Sequence, residues 1–121
     1  MQYNFNNEIP IYLQIVEIII KDITNDVLTS GNKIPSVRDY ASKFKVNPNT
    51  VVKSLQILEE YQLIYTDSTN GKFVTNDLKI IKKYKEELFL RKITSLLEEL
   101  KSLGYSSMDI INKIKEIEKW V

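Results

Sequence analysis

The sequence contains neither cysteine nor histidine. Without cysteine there is no disulfide framework and no thiolate metal site, and a reducing compartment fits such a chain. Without histidine, Ser-His-Asp and Cys-His catalysis are excluded, as is any zinc site that bears an imidazole. No pair of acids stands in an apolar setting either, so nothing in the chain supports an enzyme. An excess of one charge is lacking too: 17 Lys and Arg stand against 16 Asp and Glu, for a net charge of +1. Any case for nucleic acid must therefore rest on local charge. The opening MQYNFNNEIP has no basic start and no small-residue cleavage site, and does not read as a signal peptide. The most apolar run, Ile9 to Ile20, is broken by Gln14 and Glu17, and is too short and too polar to span a bilayer. Internal repeats and low-complexity tracts are absent. The expectation is a cytoplasmic protein with no membrane partner, no metal and no cofactor.

What is present is ordinary globular material: 121 residues, 43% hydrophobic and 27% charged. That is room for one compact domain, or a small domain with an appendage. Tyr12, Val16, Ile19, Ile20, Ile23 and Val27 recur at steps of three and four, which predicts a helix from about Ile11 to Leu28, ended by the turn Ser30-Gly31-Asn32. A short helix follows from about Val37 to Phe44. Ser36 is its N-cap, Asp39 stands at the capping-box position, and Tyr40, Ala41 and Phe44 face inward. Lys45-Val46 is a turn. Asn47 then reads as an N-cap and Pro48 as the first residue of a third helix, which runs to about Tyr61 with Val51, Leu55, Leu58 and in one reading Val52 inward. Leu63–Thr66 and Lys72–Thr75 read as strands around Asn70-Gly71, a strong hairpin signal. After Asn76-Asp77 only helix remains. Ile81, Tyr84, Leu88, Ile93, Leu96, Leu97, Leu100 and Leu103 form one stripe, stopped by Gly104. A last helix, capped by Ser106 with Asp109, carries Ile110, Ile111, Ile114, Ile117 and Val121.

Short helix, turn, helix and hairpin together make a mainly α fold: a winged helix-turn-helix over residues 1–76, with a helical segment over 77–121. A helix that reads DNA needs small polar side chains in its first turn, and Asn47, Asn49 and Thr50 sit there. The free N–H groups of that helix start also attract phosphate. Local charge agrees: from Lys33 to Leu58 five residues are basic and one is acidic. The hairpin tip adds only Lys72.

These stretches resemble the GntR family of bacterial regulators over residues 9 to 76. Pro10-Ile11-Tyr12 with Gln14-Ile15 is similar to the family's opening, and Ile34-Pro35-Ser36-Val37-Arg38-Asp39 to its "LPSVRE" box. Val46-Asn47-Pro48-Asn49-Thr50-Val51 resembles "VNPNTV", and Gly71-Lys72-Phe73-Val74 the wing ending "GTFV". The resemblance implies that Ser36, Arg38, Asn49 and Thr50 contact DNA and that the wing tip, with Gly71 and Lys72, approaches the minor groove. Asp67 departs from the family's frequent Arg, Thr69 from a usual glycine, and Gln62 from a common glycine after the third helix. An acid near phosphate opposes binding. The short helical tail resembles the YtrA-type subfamily, in which two helices form a dimerisation element. Its members commonly control neighbouring transporter genes.

Plainer alternatives stand beside these roles. Arg38 could be a solvated residue paired with Asp39 or Asp67, and Asn47 a cap that touches no base. Lys53 and Lys72 could be solvated lysines or phosphate contacts. Tyr84, Phe89 and Tyr105 could line an effector pocket, although packing explains them too, and no effector ligand is evident. The tail stripe is too long for the winged domain to cover alone, so Leu88, Ile93, Leu96, Leu97, Leu100 and Leu103 are expected in a homodimer seam. The expected function is sequence-specific binding of a double-stranded, inverted-repeat operator by a homodimeric transcription regulator, a repressor by default. The alternative is a winged-helix protein–protein interaction module without DNA binding.

Overall fold

The computed structural model describes residues 3–119. It contains α1 (Ile11–Thr24), α2 (Val37–Phe44), α3 (Pro48–Glu60), β1 (Ile64–Asp67), β2 (Gly71–Val74), α4 (Leu78–Ser102) and α5 (Ser107–Glu118). This is the mainly α, winged architecture expected. The chain divides into two compact units at Lys85/Glu86, so the first turns of α4 belong with the winged unit. The sequence had suggested 76/77, at the end of the hairpin.

In the first unit α3 is central, packed by α1, α2 and β1. Its buried face is Val51, Ser54, Leu55 and Leu58, while Val52 stays exposed. The core is completed by Ile15 and Ile19 of α1, Tyr40 of α2, and Leu63, Ile64 and Val74 of the hairpin. Burial pushes the Tyr40 hydroxyl pKa up, with Asp22 adding to the effect. The α1 stripe is centred on Ile15, which sequence spacing had not singled out, and Tyr12 is only half-buried. The helix also stops earlier than expected. Asp26 takes a left-handed conformation at φ 60°, and the amides of Val27 and Leu28 both donate to the Asp22 carbonyl, 2.9 Å away. Aspartate tolerates this conformation better than most residues. Val27, expected in the core, is therefore 68% exposed.

Gln62 ends α3 in the same way. It sits at φ 62°, its amide donates to the Glu59 carbonyl and the Leu63 amide donates to the Leu58 carbonyl. That is the paired closure in which glycine is favoured. The hairpin pairs Ile64 with Val74, Tyr65 with Phe73, Thr66 with Lys72 and Asp67 with Gly71. A third segment, 31–34, runs beside β2: the Gly31 and Ile34 amides donate to the Val74 and Lys72 carbonyls, each at 2.9 Å. The segment before α1 folds back as well. Tyr3 lies edge-on to Phe44 with ring centroids 4.8 Å apart, and the Gln14 amide donates to the Asn6 and Ile9 carbonyls. Tyr61 stacks on Tyr84 at 4.5 Å, which places Tyr84 in packing.

In the second unit, Gly104 at φ 97° closes α4, and the Ser106/Asp109 capping box opens α5. Leu96, Leu100, Tyr105, Ile110, Ile114 and Ile117 line an open apolar groove. Leu88 and Ile110 are buried, whereas Ile93, Leu96, Leu103, Ile111, Ile114 and Ile117 remain between 40% and 69% exposed. Val121, expected on the last helix, lies outside the described residues.

Candidate nucleic-acid interface

The start of α2 is organised by its own side chains. The Asp39 amide donates to Ser36 Oγ at 3.1 Å, and the Asp39 carboxylate accepts from the Ser36 amide. Ser36 is thus a cap as well as a candidate contact. Asp39 is occupied at the helix start, where a carboxylate also meets the positive end of the helix dipole. Arg38 is exposed and forms no ion pair among the described residues. The pairing with Asp39 or Asp67 that the sequence left open is not formed.

At the start of α3, Asn47 Oδ1 accepts from the Asn49 amide at 2.8 Å, so Asn47 is an N-cap. Asn49 is exposed and Thr50 half-buried. The Lys53 ammonium stands 3.9 Å from the centroid of the Tyr12 ring, a cation–π contact. Next to it Ser54 Oγ donates to the Tyr12 carbonyl at 2.8 Å and to the Thr50 carbonyl at 3.1 Å. Tyr12 therefore fixes α3 through its carbonyl and holds Lys53 with its ring. Ser54 falls on the buried spacing Val51, Ser54, Leu55, Leu58 and could have been found from it.

The hairpin is arranged differently from the sequence expectation. Asp67 Oδ1 accepts from both the amide and the hydroxyl of Thr69, at 3.0 and 2.9 Å. These bonds, with Asn70, hold the Asp67 carboxyl below the usual carboxylate range. The residue that departs from the family pattern at 67 thus shapes the turn together with Thr69, the other departure. Gly71 has φ 99°, and a Cβ there would lie 3.0 Å from Lys33 Cε. Lys72 is ion-paired with Glu59 on α3 and donates to Thr66 Oγ1 at 2.9 Å. The Lys72 ammonium, then the Thr66 hydroxyl, hold the Glu59 carboxyl below its ordinary range.

Ser36, Arg38, Asn47, Asn49, Thr50 and Lys53 all stand on the packed pair α2 and α3. Lys72 is engaged ten residues beyond Asn49, about 15 Å along the helix. Glu59 and Thr66, which hold it, were not legible as site residues.

The family described as bacterial regulatory proteins of the GntR family matches residues 11–74. The chain belongs to the GntR family. The match covers the whole winged region, from α1 to the end of β2. Two relatives extend through the tail. This GntR chain is 30% identical over 115 residues to the uncharacterized HTH-type transcriptional regulator YhcF of Bacillus subtilis, covering 95% of each. It is 27% identical over 121 residues to the Bacillus subtilis transcriptional repressor YtrA, covering 100% of this chain and 88% of YtrA. Among solved structures, a GntR family transcriptional regulator from Listeria monocytogenes superposes with a TM-score of 0.83 at 33% identity, covering 93% of this chain and 98% of that one. The DNA-binding domain of AraR, solved in complex with operator ORE1, has a TM-score of 0.54 at 27% identity, covering 62% of this chain and 94% of that one. These relatives are transcription regulators, not enzymes. Among the described residues no helix is long and apolar enough to cross a membrane.

Proposed function

We propose that this GntR-family chain is a cytoplasmic transcription repressor that binds an inverted-repeat operator as a homodimer. The observation that carries the DNA reading is the start of α3. Asn49 is exposed there, Thr50 is half-exposed beside it, and the unpaired Arg38 stands on the packed neighbouring helix. Small polar groups read base edges, and the guanidinium takes phosphate. Ser36 contributes a helix start that suits phosphate oxygens, whereas at the start of α3 Pro48 has no amide proton and the Asn49 and Thr50 amides are taken by Asn47. AraR, solved on its operator, shares this fold.

The dimer reading rests on the tail. On α4 and α5, Ile93, Leu96, Leu103, Ile111, Ile114 and Ile117 stay about half-exposed or more. A second copy that places the same face against it would cover Ile93, Leu96, Leu97, Leu100 and Leu103 of α4 and Ile114 of α5 on both chains. Leu88 is already buried in its own chain and has little to offer a partner. A two-fold pairing supports an inverted repeat with fixed half-site spacing. The printed name of YtrA supports repression, and control of neighbouring transporter genes follows from the family resemblance alone.

Selection of bound sequences from a random DNA pool by the full-length chain tests this reading. An enriched palindromic site that shifts with a protein mass of two chains is the expected result. No enrichment over a pool passed without protein would refute it.

A further inference from the structure

Lys72 is the one cation of the hairpin strands, and it is ion-paired to α3. Its ammonium reaches Glu59 of α3 and Thr66 of β1, while Thr66 Oγ1 donates to Glu59 Oε1 at 2.6 Å. Thr66 and Lys72 are cross-strand partners, so one carboxylate grips both strands of the hairpin. The triangle is chemically complete: Lys72 donates to both oxygens, and the Thr66 hydroxyl accepts once and donates once. Side-chain exposures of 29% for Lys72 and 34% for Glu59 leave the pair partly sheltered from solvent. The other acid of the wing, Asp67, is held by Thr69 and does not compete.

We propose that Glu59 is a positioning residue for DNA reading: it clamps the wing to α3 through Lys72 and Thr66, and Lys72 stays on Glu59 when DNA is bound. The inference rests on the DNA-binding reading above and reassigns Lys72 from phosphate contact to structural cation. Moving Lys72 to a phosphate would exchange one anion for another. It would also leave Glu59 as a bare carboxylate close to a polyanion, which opposes binding. Keeping the pair closed presents DNA with a neutral clamp and a wing fixed against the helix that reads the bases.

The test uses the full-length chain, a site selected by the wild type, and three variants: Glu59→Gln, Lys72→Gln and the charge swap Glu59→Lys with Lys72→Glu. The swap keeps the net charge and the ion pair but puts an acid where the wing lysine was. Expected are a loss of about three- to fivefold in affinity for Lys72→Gln, the size of a partly exposed ion pair, with an unchanged salt slope. The swap should recover affinity to within about twofold of wild type on the same scale. Amide heteronuclear NOEs of residues 66–72 should fall in both single variants and recover in the swap. A swap that binds more weakly than Lys72→Gln, or a slope flattened by about one in Lys72→Gln, would make Lys72 a phosphate contact and overturn the inference alone. Hairpin order unmoved by the single variants would overturn the clamp whatever the DNA result. A wild-type chain that selects no DNA would refute the functional reading itself.

Discussion

Replacing Leu96 and Ile114 together by glutamate tests the tail most directly. Both line the groove between α4 and α5, and they are 47% and 48% exposed, so the single chain already tolerates them near water. Full burial of such a side chain contributes roughly 1.5–3 kcal/mol, so covering the exposed half contributes about 1 kcal/mol. Two positions on two subunits then lose about 4 kcal/mol of association energy, which weakens the dimer roughly a thousandfold. Burying unpaired carboxylates in the seam costs several kcal/mol more and pushes in the same direction. The double variant should therefore sediment near the 14.2 kDa of one chain at concentrations where wild type sediments at twice that mass. It should keep wild-type helicity by circular dichroism and lose most operator affinity, because two linked half-sites gain avidity that one does not. A wild-type chain that stays monomeric at tens of micromolar, or a double variant that remains dimeric, would refute the assignment of this face.

Arg38→Ala should weaken binding to any DNA and flatten the salt dependence by about one unit of slope, read by anisotropy titration at several salt concentrations. Asn49→Ala and Thr50→Ala should each lose roughly 1–3 kcal/mol on the selected site and much less on random DNA, and equal losses on both would mean phosphate contacts only. Asp67→Asn keeps an acceptor for Thr69 while removing the charge, so it should tighten non-specific binding at low salt without disordering the turn. The carboxylate's pKa is lowered in the folded chain, so its contribution to hairpin stability is present above the usual aspartate range and lost as pH falls through the lowered value. Gln62→Gly should raise stability by up to about 1 kcal/mol in thermal unfolding, since a left-handed conformation costs a side-chain-bearing residue roughly 1–2 kcal/mol and glycine returns part of that gain through its freer unfolded chain.

The sequence by itself determined the elements and their caps. Capping at Ser36, Asn47 and Ser106 depends on residues at most three positions apart, and the hairpin turn on Asn70-Gly71, so these signals survive without any fold around them. The α2 and α3 boundaries and the exposed Arg38 and Asn49 were legible for the same reason, as was family membership. Tertiary structure alone decided how charges and surfaces are spent. Nothing within three residues of Lys72 shows that it meets Glu59, 13 positions away, or that Lys53 lies over Tyr12 on another helix. The early end of α1 was hidden because Val27 continues an apolar spacing that the backbone abandons at Asp26. The tail shows the same division. Periodicity announces two amphipathic helices, but only the packing shows that α4 and α5 leave their apolar faces half-exposed, because spacing records which residues share a face and not what that face meets.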